Sequence, residues 1–287
     1  MNDDRPIMEL LKLKFPQVLD KVEMQTRQAE RLRSETQSSE LVGFLWEHSL
    51  RVSLIAYELA AEAGVEDSDT VVLAALLHDI GKFSNGEDYS ADTREEEISA
   101  NKAEKILISA GLSKELISRV TQAINHLYSG KQYSEATALI HDADRLDKSG
   151  LIGLANFFQK WTLRGFTLAA IIEQKIGPEI TYLVNLRASL KTTVAQKACP
   201  DVQQSVEYLK NLVSEYSRSS GNNLAIKCYI FEGKEIYSVE RPNCPCGDPY
   251  ATNISKATSV KCELILVERV CLNCGDFQSS SICFSRL

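Results

Sequence analysis

Long apolar runs are absent from this 287-residue sequence, and so is an excess of positive charge. No stretch reaches the roughly 18 uncharged apolar residues that a membrane-spanning helix needs, so we expect no membrane partner. Lysine and arginine number 32 against 39 aspartates and glutamates, a formal net charge of −7. That balance argues against a general binder of nucleic acids or anionic membranes. A negatively charged substrate remains compatible, because a bound metal ion supplies local positive charge.

The first residues, Met1 to Pro6, are polar and acidic. They contain no basic segment followed by an apolar stretch, so we expect no secretory signal and a cytoplasmic location. The eight cysteines would suit disulfides in a secreted protein. In a reducing cytosol, clustered cysteines indicate a metal site instead.

Apolar residues recur at three- and four-residue spacing from Ile7 to about Tyr216, which predicts a series of helices. The polar segment 85–93 is typical of a loop. Predicted helix ends fall at Gly64, Gly81, Gly111 and Gly150, and predicted helix starts at Ser68 and Ser113.

The character of the sequence changes near Ser217. The run Ser-Ser-Gly-Asn-Asn at 219–223 is typical of a linker, and we place a domain boundary at 217–222. Beyond it, 224–231 and 235–239 flank a short turn and predict a β-hairpin, and 260–270 predicts a further strand.

Histidine is scarce: the four are His48, His78, His126 and His141, all in the helical part. A lone histidine is most simply a half-buried, hydrogen-bonded residue. His78 differs because a strongly apolar segment, 71–77, leads directly into an adjacent imidazole and carboxylate. Burying that carboxylate is unfavourable unless a cation or several donors satisfy it. A divalent metal ion is the simplest solution.

With their flanking residues, these positions resemble the HD superfamily of metal-dependent phosphohydrolases. The matching elements are His48-x-x-Arg51-Val, Leu-Leu-His78-Asp79-Ile-Gly-Lys, Ile-Asn-His126, and Asp142-Ala-Asp-Arg-Leu-Asp followed by Gly150. The last element is similar to that of a bacterial subgroup that includes nucleotide pyrophosphohydrolases. The resemblance covers roughly residues 35 to 216 and implies a bundle of helices.

The resemblance further implies that one divalent ion is held by His48, His78, Asp79 and Asp142. Two nitrogen and two oxygen donors leave positions for water and a phosphate oxygen. Manganese is our first expectation, and magnesium, iron, cobalt, nickel and zinc also fit such a site. The ion would activate water for attack on phosphorus, and Asp79 could orient that water.

Three other side chains are candidates for catalysis or substrate binding. Arg51 lies one helical turn from His48 on the same face, where it could bind phosphate. Lys82 either meets the substrate phosphate or balances the helix dipole. His126 either assists the leaving oxygen or phosphate, or makes a supporting hydrogen bond. Carboxylates at 96–97 could reach the site, although an exposed acidic helix start is the simpler interpretation.

Asp144 is the rival of Asp142 for the last ligand position. Two residues apart on a helix, they point in different directions, so we expect only one to bind the ion. We expect a structural role for His141, and surface or capping contacts for Arg145 and Asp147.

Two cysteine pairs follow the linker, Cys244-Pro-Cys246 and Cys271-Leu-Asn-Cys274. Such pairs hold structural zinc in zinc ribbons, although the first pair is one residue shorter than Cys-x-x-Cys. Disulfides or packed free thiols are the alternatives. A small module lacks the core to be stable alone, which favours a metal that links its strands.

The expected fold class is therefore mostly α: an HD-type helical bundle followed by a small β-rich, zinc-ribbon-like domain. We expect an N-terminal helical extension at 1–34, the HD domain at 35–218 and the small domain at 222–287. The expected function is hydrolysis of a phosphate ester or anhydride of a small nucleotide-like substrate. An HD-type nuclease and a non-catalytic sensor or scaffold are the alternatives. Nucleic acid is disfavoured as a partner by the charge, and homodimerisation is left open.

Overall fold

The computed structural model describes residues 7–37, 43–84, 95–128, 134–241, 246, 250–258 and 262–285. Over these residues the chain forms thirteen helices and five strands. The helices are α1 (Ile7–Lys14), α2 (Pro16–Gln37), α3 (Phe44–Ala63), α4 (Ser68–Leu77), α5 (Glu95–Ser109), α6 (Lys114–Asn125), α7 (Glu135–Asp147), α8 (Gly150–Leu163), α9 (Leu168–Gln174), α10 (Ile176–Val184), α11 (Leu186–Ser189), α12 (Thr193–Ala198) and α13 (Gln203–Ser220). The strands are β1 (Ala225–Phe231), β2 (Lys234–Glu240), β3 (Tyr250–Thr258), β4 (Cys262–Cys271) and β5 (Phe277–Ser285).

This order of elements confirms the predicted fold class, a mostly helical chain with a small antiparallel β region at its C-terminal end. Among the described helices, none combines the length and the apolar character that crossing a bilayer requires. The predicted loop at 85–93 lies outside the described residues.

The chain divides into two compact units. The first contains Met1–Lys148, Leu163–Gly165 and Leu190–Cys199, and the second contains Ser149–Thr162, Phe166–Ser189 and Pro200–Leu287. The domain bounds predicted from the sequence, 1–34, 35–218 and 222–287, remain predictions.

In the first unit, α4 is the central helix. Its residues from Thr70 to Leu77 are all buried, and it packs against α3, α6 and α7. The Asp67 side chain caps its first turn by accepting a hydrogen bond from the backbone N–H of Thr70. A helix buried on every side is held firmly, so the residues that leave its C-terminal end have a well-defined position.

The N-terminus of α3 is capped from another helix. The carboxylate of Glu30, buried in α2, accepts hydrogen bonds from the backbone N–H groups of Gly43 and Leu45. These groups have no partner within their own helix. Because Gly43 has a positive φ of 109° and offers no capping side chain, Glu30 supplies the cap and fixes the first turn of α3.

Several predicted helix ends are confirmed. Ser113 caps α6 by accepting from the backbone N–H of Leu116. Gly81 serves a different purpose, because a Cβ there would lie 2.8 Å from the hydroxyl of Ser99, so glycine permits close packing. Gly64 and Gly111 follow α3 and α5 with positive φ, and Gly150, which also has positive φ, is the first residue of α8.

The second unit has a core of helices α8, α9, α10 and α13, on which the hairpin β1–β2 packs. The predicted hairpin is confirmed: Phe231 pairs with Lys234, and Glu232 and Gly233 both have positive φ, as in a type I′ turn. The apolar side chains of this core include Phe157, Ile172, Ile180, Leu209, Val213, Ile226, Tyr237 and Val239.

A second sheet in this unit has the antiparallel order β3–β4–β5. The strand predicted at 260–270 is β4, the central strand of this sheet. Ile265 and Val267 on β4 pack with Ile236 of β2 in a small apolar cluster, so the two sheets share a core.

We expect Gly177→Ala to destabilise the protein by about 1–3 kcal/mol, because the site is already filled. A Cβ at Gly177 in α10 would lie 2.7 Å from the carbonyl oxygen of Tyr237 and 2.9 Å from the Cα of Ser238, both backbone atoms of β2. Urea unfolding measures the effect. The exposed control Ser214→Ala should change stability by less than about 0.5 kcal/mol. A stabilising Gly177→Ala, the usual result at an open helix position, would contradict this packing.

Candidate metal centre

Three helices of the first unit bring a group of acidic and imidazole side chains together. Helix α3 carries His48, and His78 and Asp79 follow the buried helix α4 directly. Helix α7 carries Asp144, and it packs against both α3 and α4. All four side chains are buried.

The ring nitrogens that face this group lie close to carboxylate oxygens. The Nε2 atom of His48 is 3.3 Å from Oδ1 of Asp144 and 3.5 Å from Oδ2 of Asp79. The Nε2 atom of His78 is 3.4 Å from Oδ1 of Asp79 and 3.8 Å from Oδ1 of Asp144. One ligand atom from each of His48, His78 and Asp144 lies within 4.8 Å of the other two, so these atoms can share one ion.

The tautomer of His78 is fixed by a backbone group. Its Nδ1 atom lies 2.7 Å from the carbonyl oxygen of Ala75, which can only accept, so Nδ1 carries the hydrogen. The neutral ring then presents a lone pair at Nε2, which is buried and has no hydrogen-bond partner among the described residues. This lone pair faces the carboxylate oxygens of Asp79 and Asp144, which are also acceptors. A cation between them satisfies all three groups.

His48 is oriented by a carboxylate behind it. Its Nδ1 atom lies 2.7 Å from Oδ2 of Asp147, and Arg51 holds the same carboxylate through Nε at 2.7 Å and Nη2 at 3.3 Å. This pair leaves Nε2 of His48 facing the cluster. Asp147 is buried, so the expectation of a surface or capping contact for it was wrong. The candidate phosphate-binding residue Arg51 is bound to Asp147.

The two rival carboxylates of α7 have different surroundings. Asp142 is fully buried and accepts hydrogen bonds at 2.8 Å from the backbone N–H groups of Lys191 and Thr192 and from the Thr192 hydroxyl. It also lies 2.9 Å from Nδ1 of His141. Asp142 therefore holds the start of α12, and it is Asp144 that lies beside the ring nitrogens of His48 and His78.

Contacts of its second oxygen, Oδ2, hold Asp144 in place. Its Oδ2 atom accepts a hydrogen bond from the hydroxyl of Tyr128 and lies 2.6 Å from the ammonium group of Lys148. Burial and the charge of Asp144 raise the pKa of Tyr128 well above its usual value, so the hydroxyl stays protonated and donates. Oδ1 of Asp144 thus remains directed at the histidines.

The carboxylates around His48 favour a positive charge on or beside its ring. Burial opposes protonation of His48, but hydrogen bonds to Asp144, Asp147 and Asp79 outweigh it and raise its pKa to about 10. Without an ion, a proton on His48 is the positive charge at the centre of these three carboxylates. That proton still leaves the lone pair of His78 unsatisfied, whereas a metal ion can bind both rings.

The remaining predicted residues lie around or away from this group. Lys82 is close, with its ammonium group 2.6 Å from Oδ2 of Asp79. Burial lowers the pKa of Lys82, but the charges of Asp79, Glu95 and Asp144 outweigh it and raise the pKa. His126 is exposed at the C-terminal end of α6, and its catalytic role stays a prediction.

A second group of metal-binding residue types lies at the end of β4. Cys246, Cys271 and Cys274 place their sulfur atoms within 4.8 Å of one another, with Cys246 and Cys271 3.5 Å apart. Hydrogen bonds from the backbone N–H groups of Cys274 and Asn273 outweigh burial and lower the pKa of the Cys271 thiol to about 7. A lowered thiol pKa favours the thiolate that metals bind. Cys244, the predicted fourth ligand, lies outside the described residues.

The sequence around the buried group matches a known domain family. Residues 45–149 match the sequence profile of the HD domain. This part of the chain is similar to the HD domain family. The match runs from the start of α3 past the end of α7, so it contains His48, His78, Asp79 and both rival aspartates of α7.

Solved structures of bacterial proteins are also similar to the chain. Bacillus subtilis YpgQ in complex with ADP is 22% identical over 67% of this chain and 97% of that chain, with a TM-score of 0.45. A predicted HD superfamily hydrolase from an uncultured Thermotogales bacterium is 21% identical over 74% and 99%, with a TM-score of 0.47. A Lactobacillus plantarum protein is 18% identical over 70% and 97%, with a TM-score of 0.48. No curated protein matches the chain.

We expect Asp142→Asn to destabilise the HD domain by about 2–4 kcal/mol, because an amide in place of the carboxylate disrupts its buried hydrogen bonds to Lys191 and Thr192. Chemical denaturation of the full chain gives the value. The control is Asp201→Asn, whose exposed carboxylate accepts one backbone hydrogen bond and should cost less than about 1 kcal/mol. Equal effects of the two substitutions would contradict the structural role of Asp142.

Proposed function

We propose that the chain is a metal-dependent phosphohydrolase that cleaves a phosphate ester or anhydride of a small, nucleotide-like substrate. The observation that carries this proposal is the buried Nε2 atom of His78, which has no hydrogen-bond partner among the described residues and lies 3.4 Å from a carboxylate oxygen of Asp79 and 3.8 Å from one of Asp144. A divalent cation is the species that satisfies such a set of acceptors. The HD domain match is consistent with it.

The proposed ligands are His48, His78, Asp79 and Asp144, with manganese as the first metal to test. Asp144 replaces Asp142 in this proposal because both oxygens of Asp142 are engaged with the backbone at 191–192. Two nitrogen and two oxygen donors suit a first-row divalent ion. When bound, such an ion supplies Lewis-acid activation of water and of the phosphate group.

The surrounding residues have distinct proposed roles. Asp147 holds His48 so that its Nε2 faces the ion, and Arg51 holds Asp147. Lys82 lies beside Asp79 and is partly exposed, so its ammonium group is placed to bind a phosphate oxygen of the substrate. We retain His126 as a candidate for protonating the leaving oxygen.

The substrate class follows from charge and from the last motif. A net charge of −7 is unfavourable for binding a long nucleic acid, whereas a small phosphate compound needs positive charge only at the site. The Asp-Ala-Asp-Arg-Leu-Asp element resembles the subgroup that includes nucleotide pyrophosphohydrolases. We therefore propose a nucleotide substrate and a cytoplasmic location.

We further propose a structural zinc ion at Cys246, Cys271 and Cys274, with Cys244 as the fourth ligand. The lowered pKa of Cys271 and the convergence of three sulfur atoms support this proposal. The ion would join the turn after β4 to the segment before β3.

We expect the purified full chain to hydrolyse members of a nucleotide panel with Mn²⁺ and to leave a labelled oligonucleotide intact. Asp144→Asn should lower turnover at least about 100-fold and weaken Mn²⁺ binding measured by electron paramagnetic resonance, because a ligand is lost. Asp142→Asn is the matched control on the same helix. Assayed below its melting temperature, it should keep Mn²⁺ binding and most of its turnover.

Each alternative has its own result in that assay. Cleavage of the oligonucleotide alone would favour a nuclease, and Mn²⁺ binding without any turnover would favour a sensor or scaffold. Loss of Mn²⁺ with Asp142→Asn but not with Asp144→Asn would reverse the assignment of the last ligand.

We expect about one zinc ion per chain that depends on the cysteine group. Cys274→Ser should remove this zinc and lower the melting temperature, since a structural ion contributes folding free energy. Elemental analysis of the purified protein measures it. Cys228→Ser, at an exposed position in β1, is the control and should retain zinc. Unchanged zinc in Cys274→Ser would place the ion elsewhere.

A further inference from the structure

The second unit contains a cavity of about 430 Å³, far in sequence from the HD motif. It lies among the C-terminal end of α9, the end of β2, the middle of β4 and the start of β5. Its size is in the range of small-molecule pockets. Its wall is mainly polar, so a polar ligand suits it better than an apolar one.

A buried ion pair forms part of this wall. Glu240 and Arg269 are only 3% and 6% exposed, and Oε2 of Glu240 lies 3.2 Å from Nε of Arg269. Tyr229 donates a hydrogen bond to the other oxygen of Glu240 at 2.7 Å. Removing two charges from water costs several kcal/mol per ion, so such a pair is weak as a stabilising device.

The guanidinium of Arg269 is held in one orientation. Its Nη1 donates to the carbonyl oxygen of Arg241 at 2.7 Å and to Oε1 of Gln278 at 3.1 Å. Its carbon Cζ lies 4.5 Å from the centre of the Tyr250 ring, and Gln278 in turn donates to the Tyr250 hydroxyl. A charged group fixed in this way is preorganised for a ligand.

Some of the hydrogen-bonding capacity in this wall is not used within the described part of the chain. Oε2 of Glu240 and Nε of Arg269 make no hydrogen bond of good geometry there, although the two atoms lie 3.2 Å apart. The guanidinium of Arg241 is 42% exposed and lies 3.9 Å from Glu173, too far for a hydrogen bond. Both signs of charge are therefore available to a ligand.

The charges of the lining restrict the ligand. The ionisable residues are two arginines, 241 and 269, and three carboxylates, at 173, 240 and 276, so the formal charge is 2 − 3 = −1. A simple anion would meet the repulsion of three carboxylates, and a simple cation would meet the repulsion of two arginines. A ligand with one carboxylate and two cationic groups matches both the signs and the sum.

We propose that this cavity binds a free basic α-amino acid. Its carboxylate pairs with Arg269 and Arg241, and its ammonium and side-chain cation pair with the carboxylates of Glu173, Glu240 and Asp276. The site requires no metal ion and is independent of the proposed hydrolase activity.

The test is a thermal-shift and calorimetric titration of the full chain with L-arginine and L-lysine. A ligand that binds only the folded state raises Tm in a saturable way. Two compounds related to L-arginine test the charged groups of the ligand separately. Agmatine lacks the carboxylate, and L-citrulline lacks the side-chain charge. Each should bind at least about tenfold more weakly, because a charged hydrogen bond is lost.

Two substitutions at partly exposed lining positions locate the site without disturbing the buried pair. Arg241→Met and Glu173→Gln should each weaken binding about tenfold or more. Arg218→Met, at an exposed position on α13, should leave it unchanged. The proposal is overturned if neither amino acid gives a saturable shift, if agmatine binds as well as L-arginine, or if both lining variants bind like the original chain.

Discussion

The hydrogen bond between the ring of His78 and the carbonyl oxygen of Ala75 determines which ring nitrogen faces the buried carboxylates. Ala75 lies in the last turn of α4, where carbonyl groups have no partner within the helix. His78 satisfies one of them with Nδ1, and its Nε2 must then be an acceptor. The end of a buried helix thus produces a ring nitrogen that needs a cation, and the negative end of the helix dipole favours one there.

Carboxylates that contact the two histidines are held in turn by residues outside the cluster. Asp144 is fixed by Tyr128 and Lys148 through one oxygen, and Asp147 is fixed by Arg51. Lys148 and Arg51 each neutralise one of these carboxylates. Acidic groups can therefore stay ionised in a buried place, and the cluster is preorganised for the metal ion that we propose.

The motif made part of this arrangement predictable. His48, His78 and Asp79 are recognised by their flanking residues, and the structure brings them together. Which of Asp142 and Asp144 faces the histidines depends on the rotation of α7 about its own axis. The motif does not specify that rotation. Helical spacing carries a further signal, because residues 144 and 147 are three apart and share a face, whereas 142 does not.

In the C-terminal region, strands defined by their own residues were predictable from the sequence. Strands defined by pairing with a distant segment were not. The hairpin β1–β2 needs only a two-residue turn, and β4 is rich in Val, Ile and Leu. Strands β3 and β5 were missed, since their sequences, Tyr-Ala-Thr-Asn-Ile-Ser-Lys-Ala-Thr and Phe-Gln-Ser-Ser-Ser-Ile-Cys-Phe-Ser, contain many polar residues. Their pairing with β4 defines them, and pairing partners are not visible in either segment alone.

The contact between Asp142 and the backbone at 191–192 has a consequence for biosynthesis. The two ends of this contact are about 50 residues apart in the chain. A ribosome adds about 5–20 residues each second, so the carboxylate of α7 emerges roughly 3–10 s before its donors. During that interval the nascent chain lacks the segment at 191–192, so the buried carboxylate of Asp142 acquires its backbone donors only after translation has passed well beyond the motif.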